Sequence, residues 1–310
     1  MLHNVKNIAG MSMKGGRNDK FFFCLMEYYE GENRWFLKSL LQVKDQEDKQ
    51  GDDAIHDWIK ESDLKGLVVD FPLSSPFCQT CTLRCPGIEN CSVEGVRSVF
   101  NVMDTILEED RNFQSESPKD YERKRNLDDQ IRGSLNKIMI SRSFKRRIKK
   151  GFLPYWNRAI DLWIWINYYD SLLETFGMSY DSFGSTSLMV QSRFSYLKRH
   201  FPQDLELFEG NGKIILLELL RAKILKKEDI LKIKDIEGVV DGRVEIIKKL
   251  EVALNIFIYD SDLEVLAKNP PAFDSFLLAL LGRNIHFNKI REIPSWAMNN
   301  TSQFVAPSFL

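Results

Sequence analysis

The chain has 310 residues, of which 44% are hydrophobic and 28% charged, a composition that can bury a sizeable core and excludes a disordered or fibrous protein. Its formal net charge of -1 gives no global pull toward nucleic acid or an acidic membrane, so any such attraction must be local. No charged-then-apolar leader opens the sequence and stretches such as Ala159–Tyr169 fall short of the ~20 apolar residues of a membrane span, so a cytoplasmic chain with no membrane partner is expected.

In chain order, Asn4–Met13 reads as a strand, Lys14–Asn18 as a turn, and Phe21–Tyr29 as a second, aromatic-rich strand. Gly31-Glu32-Asn33 then turns the chain into a third strand, Arg34–Val43, completing an antiparallel meander. Ile55, Trp58 and Ile59 have helical spacing in a segment ending near Ser62, and Gly66–Val69 follows as a short buried strand. A strand reached through a helix implies parallel pairing, so the order is β-β-β-α-β.

From Pro72 to Cys91 the chain reads as loop, Val93–Leu107 as helix, and Glu108–Asp120 as polar and exposed. Arg123–Lys150 then carries eleven Lys or Arg against Asp128 and Asp129, a local net of +9 that leaves about -10 elsewhere. Helices are expected at Asn157–Glu174 and Ser187–His200, a buried strand at Lys213–Leu219, and helical surface over Lys223–Lys249. Pro270-Pro271 introduces a last helix, Ala272–Phe287.

Three acids stand where chemistry is possible. Asp70 ends an apolar strand and is followed by Phe71-Pro72, which puts its carboxylate at the carboxyl edge of the sheet, where open α/β sheets bind ligands. Glu218 lies inside the apolar run Ile214–Leu220 and needs a partner or a metal if buried. Asp274 sits in the first turn of the last helix, where a carboxylate complements the helix dipole. Such acids can hold divalent metal for phosphoryl transfer, a metal pair stabilising the attacking and leaving oxygens. Singly, they can also close a turn, pair with an arginine, or cap a helix.

The segments Gly10-Met11-Ser12-Met13-Lys14-Gly15-Gly16 with Asn18-Asp19-Lys20, Val69-Asp70-Phe71-Pro72-Leu73, Leu153-Pro154-Tyr155, Phe183-Gly184-Ser185 and Ala272-Phe273-Asp274-Ser275-Phe276 occur in an order that resembles the poorly characterised family of predicted ribonuclease H-like nucleases. The resemblance spans most of the chain. It implies an α/β fold with a ribonuclease H-like core, that is, a three-stranded antiparallel meander plus parallel strands with helices on both faces. It also implies Asp70, Glu218 and Asp274 as ligands of Mg2+ or Mn2+, with Tyr155, Arg158 and Arg193 near the site and the arginines able to clamp phosphate. The family's first strand usually carries an Asp where this chain has Ser12, a departure that Asp19 answers only if the Lys14–Asn18 turn folds back. One elaborated domain over 1–310 is expected, with insertions at 72–150 and 220–268.

Cys78, Cys81, Cys85 and Cys91 form C-x2-C-x3-C-x5-C, a spacing able to wrap four thiolates around structural zinc; an iron–sulfur cluster and free thiols are the alternatives. Within Ser141–Lys150, Arg142, Lys145, Arg146, Arg147, Lys149 and Lys150 surround Phe144 and Ile148 and read as a phosphate-contacting nucleic-acid surface or a solvated face. The aromatics between Trp156 and Tyr169 read as core, and the four histidines show no metal-ligand spacing. No phosphate-binding glycine loop occurs. The expected activity is a metal-dependent, two-metal-type nuclease. The alternative is a degenerate ribonuclease H-like module that binds nucleic acid or protein, and hydrolysis of a smaller phosphorylated compound also stays open.

Overall fold

The computed structural model describes residues 7–13, 21–43, 51–116, 141–182, 188–235, 237–298 and 303–310. The chain divides into two compact units, one of Met1–Pro72, Gly184–Arg291 and Gln303–Leu310, the other of Leu73–Phe183 and Glu292–Ser302.

The first unit is an α/β layer structure built on a mixed sheet. Strands β1 (Asn7–Ser12), β2 (Phe21–Tyr29) and β3 (Arg34–Val43) form the expected antiparallel meander, in register at Gly10↔Cys24 and Cys24↔Leu40, with an irregularity at Leu25/Met26. Asn33 closes the β2–β3 turn at φ 48, a left-handed conformation that asparagine tolerates better than most residues. Helix α1 (Gly51–Glu61) carries the chain to β4 (Gly66–Val69), which lies parallel to β1 with Met11 opposite Val69. All four residues of β4 are buried, as expected for a short apolar strand inside a sheet covered on both sides.

Two further parallel strands lie where no strand was expected: β5 (Glu206–Glu209) beside β4, and β6 (Ile256–Phe257) beside β3. The sheet order is β5-β4-β1-β2-β3-β6. Beyond β5 the chain's last described segment returns, Glu209 N–H donating to Gln303 O and Val305 N–H to Glu209 O, each at 2.9 Å. The same segment is tied to the turn at residue 289 through Ser308 N–H to Lys289 O and Asn284 Nδ2 to Ser308 O.

The strand expected at Lys213–Leu219 is instead helical. Asn211 accepts hydrogen bonds from Lys213 N–H and Ile214 N–H through its side chain and so starts a helix over Gly212–Arg221. The run Ile214–Leu220 is buried on every side, and a continuous apolar run carries no periodicity that separates a buried strand from a buried helix.

Among the described residues, the helices of the second unit are, in chain order, α2 (Phe77–Thr80), α3 (Glu94–Glu116), α4 (Arg142–Lys149) and α5 (Ala159–Phe176). The first unit continues with α6 (Leu188–Leu197), α7 (Gly212–Arg221), α8 (Lys227–Lys232), α9 (Val239–Leu254), α10 (Asp260–Lys268) and α11 (Pro270–His286). Strand alternation assigns two of these to opposite faces of the sheet. Gly10 meets α11, while its neighbour Met11 pairs with Phe23, whose ring lies 5.9 Å from that of Trp58 on α1. Helix α6 joins the α1 face: the Phe194 ring lies 4.7 Å from Phe71, and His56 Nε2 on α1 approaches Leu197 O at 3.3 Å.

Helix α11 lies unusually close to the sheet. A methyl group on Gly10 would stand 2.1 Å from Ser275 O and 2.4 Å from Ala279 N, and one on Gly282 would stand 2.0 Å from Ile8 Cγ2. These two glycines let the helix backbone rest almost directly on β1, and the pairing of Gly282 with Ile8 and of Ser275 with Gly10 makes α11 antiparallel to β1.

In the second unit, Val96, Val99, Met103 and Ile106 of α3, Phe144 and Ile148 of α4, and Leu162, Trp163, Trp165 and Tyr168 of α5 are all buried. Helix α3 runs to Glu116, well beyond the expected end at Leu107, and its inward face continues through the buried Asp110, which pairs with Lys145 of α4.

Candidate functional site

Because α11 runs antiparallel to β1, its first turn is carried past Gly10 toward the carboxyl edge of the sheet, where β1 and β4 both end. Ser12, the last residue of β1, is fully buried, and its hydroxyl donates to Asp70 Oδ2 at 2.6 Å. Met13 N–H donates to Asp70 Oδ1 at 3.1 Å, so both oxygens of the carboxylate are oriented by the end of β1. Val68 packs near Gly210 and Gly282 on the α11 side, and alternation puts Asp70 on that side too.

Helix α11 starts at Pro270, two residues before the expected start, so Asp274 is its fifth residue and stands just past the first turn, its Oδ1 3.6 Å from where a Cβ on Gly212 would sit, at the start of α7. Arg243 of α9 is close enough to feel it: burial lowers the Arg243 pKa and the Asp274 charge opposes that shift, while Arg243 Nη1 donates to Ala267 O at 2.7 Å. Ser12, Asp70 and Asp274 therefore share one face and one edge of the sheet.

Glu218 does not arrive there from a strand. It faces inward from α7, 2% exposed, and its Oε1 takes Arg221 Nη1 at 2.8 Å and Arg291 Nη1 at 3.0 Å. Two charge-assisted hydrogen bonds to one oxygen satisfy a buried carboxylate, which is the arginine-pairing alternative.

The two candidate arginines are also engaged. Arg158 is 1% exposed, with Nη2 2.9 Å from Asp161 Oδ1 and Nη1 3.1 Å from Ser74 Oγ, so its fork is spent inside the second unit. Arg193 pairs with Asp52 Oδ1 at 2.6 Å and lies over the Phe21 ring at 4.8 Å. Tyr155 is exposed. Asp19, the Lys14–Asn18 turn, residues 123–140 of the basic stretch and Phe183-Gly184-Ser185 lie outside the described residues.

Of the six cations proposed to meet nucleic acid, two have internal partners. Lys145 pairs with the buried Asp110 of α3, and the Arg147 guanidinium lies 4.0 Å from the Trp165 ring. Arg142, Arg146, Lys149 and Lys150 are exposed along α4, which Ser141 caps by accepting from Phe144 N–H and whose Phe144 and Ile148 are buried. The result is a short helix anchored by two apolar residues that presents a cationic face.

Two features escaped the sequence reading. Glu209 is 2% exposed at the end of β5, and it follows Gly210's alternation onto the face opposite α11. His56 and His200, far apart in the chain, stack at 5.1 Å beside a cavity of about 450 Å³ lined also by Asp57, Lys60 and Phe201. Neither had a local motif to announce it.

Among the described residues, no group of three or more His, Cys, Asp or Glu side chains is gathered so as to hold a metal ion, and no helix is long and apolar enough to cross a membrane. No family model, curated protein or solved structure matches the chain. What the fold itself defines is an α/β protein with a mixed six-stranded sheet.

Proposed function

We propose that the chain is a divalent-metal-dependent phosphodiester hydrolase acting on nucleic acid, built on a ribonuclease H-like core. The observation that carries this reading is the placement of Asp70 and Asp274 on one face at the edge where β1 and β4 end. The antiparallel meander crossing to a parallel β4, with helices on both faces, supports the core assignment.

The donor set suits a small hard cation. Mg2+ is commonly held by one or two carboxylates and completes its shell with water and phosphate oxygens, so two acids are enough and Mn2+ can substitute. Such an ion, when bound, supplies positive charge to the oxygens of a phosphoryl transfer. Ser12 Oγ–H and Met13 N–H fix the plane of the Asp70 carboxylate. The exposed cations of α4 supply sequence-independent phosphate contact, consistent with a polymeric substrate.

One observation favours a second reading. Ser12 stands where the resemblance implies a strand acid and gives Asp70 a neutral hydroxyl donor, which fits a module that binds nucleic acid or protein without cleaving it. The deciding experiment is Mn2+-dependent cleavage of labelled single- and double-stranded DNA and RNA by wild type and by the Asp70→Asn, Asp274→Asn double variant. Cleavage that falls to background in the folded double variant is the expected result. Cleavage that persists in it removes these acids from the site, and folded wild type that cleaves nothing leaves the binding module.

A further inference from the structure

We propose that residues 78–91 form a four-thiolate structural zinc site, independent of the chemistry at Asp70. The loop is clamped at its base. The Phe77 ring lies against α3, where a methyl on Gly95 would meet its Cζ at 2.4 Å, and Cys78 N–H donates to Pro154 O at 3.0 Å. Residue 77 and residue 95 are thus neighbours in space, and the chain between them leaves and returns to one place.

Nothing inside that excursion holds it. Residues 78–90 are exposed throughout, including Leu83 and Ile88, so the segment buries no apolar core of its own. Past the four-residue α2, Cys91 N–H donates to Ile88 O at 3.1 Å, and a loop this long without packing needs another source of order. The four cysteines are free thiols confined to these fourteen residues. Cys81, Cys85 and Cys91 are all near enough to Cys78 to interact with it electrostatically.

The spacing fits one tetrahedral ion. Cys78 to Cys81 and Cys81 to Cys85 lie within the two-to-four-residue separations usual for zinc ligands. The longer step from Cys85 to Cys91 contains Pro86-Gly87, where Gly87 at φ 93 takes a left-handed conformation that glycine adopts without strain, and a turn at residues 89–90 leads into Cys91. Drawing the sulfurs from their present separation to bonding distance breaks no packed contact, because the residues between them are exposed. Each thiol gives up its proton on ligation.

The test uses the full chain purified under reducing conditions without chelator. One zinc per chain by elemental analysis is expected. After stripping and addition of Co2+, the spectrum should show thiolate-to-cobalt charge transfer and the visible bands of a tetrahedral ion, both lost in the Cys81→Ser, Cys85→Ser double variant. Zinc should also slow proteolysis within 78–90. Iron with acid-labile sulfide, disulfides among the four cysteines, or wild type that gives no tetrahedral cobalt spectrum would each overturn the assignment. All of these readouts except the variant's use wild type, and none involves cleavage of nucleic acid.

Discussion

Replacing Gly10 by alanine should lift α11 off the sheet. The new methyl would sit 2.1 Å from Ser275 O, 2.4 Å from Ala279 N and 2.8 Å from Leu278 Cβ, whereas real Cβ contacts essentially never fall below 3.0 Å, so the nearest atom must retreat by about 0.9 Å. Two of the three are backbone atoms of a helix, which cannot move singly. Overpacking in cores costs about 1–3 kcal/mol and occasionally more, and a rigid obstacle puts Gly10→Ala at the upper end, about 3 kcal/mol. At ~2–4 °C per kcal/mol, the melting temperature should drop by roughly 6–12 °C. The control is Gly282→Ala, whose nearest obstacle is Ile8 Cγ2, a side-chain atom, and which gains about 1 kcal/mol of helix propensity. Its net loss should stay below about 2 kcal/mol. Urea unfolding at constant m-value measures both. The reasoning fails if Gly10→Ala stays within about 0.5 kcal/mol of wild type, the usual range of a neutral substitution, or if Gly282→Ala is the more damaging change.

Three other outcomes are expected. Glu218→Gln removes the charge shared by Arg221 and Arg291 and should destabilise by about 2 kcal/mol in urea, because hydrogen bonds to charged groups are worth about 1.5–3 kcal/mol, while leaving Mn2+ binding by calorimetry unchanged. Lys145→Met leaves the Asp110 carboxylate buried without its cation and should cost about 3 kcal/mol, read as an earlier urea midpoint by tryptophan fluorescence. Burial raises the Cys24 pKa above its ordinary value of 9.0, with the Asp262 charge adding to the shift. The unfolded chain therefore loses this proton above pH 9.0 while the folded chain keeps it, so stability present below that pH declines as pH rises, by up to about 1.4 kcal/mol per unit from this group. Urea midpoints across that range should fall less steeply in Cys24→Ala, and equal slopes would count against the assignment.

The sequence was most informative where a pattern ended abruptly. Gly66–Val69 was legible because four apolar residues are followed by Asp-Phe-Pro, which also located Asp70 at the strand's end. Pro270-Pro271 did the same for α11 and hence for Asp274. β5 was illegible because Glu-Leu-Phe-Glu has acids at both ends and lies next to the sheet's edge, where no alternation is demanded. Its absence from the reading made the neighbouring Ile214–Leu220 run look like the missing strand, and that error carried Glu218 into the candidate site. Arg158 could have been placed from sequence, since Asp161 follows at the spacing of a helix-start pair and the two share the burial. His56 and His200 could not, because only the folded chain brings them together.

The return of residues 303–305 to Glu209 sets an order of events during synthesis. The outer strand has its final partners only after residues 303–305 have left the ribosome, and until then it is an edge open to another chain. With β4 and β5 separated by more than a hundred residues, this side of the sheet closes over a long stretch of chain and pairs late. The nascent chain is therefore open to mispairing there until residues 303–305 arrive.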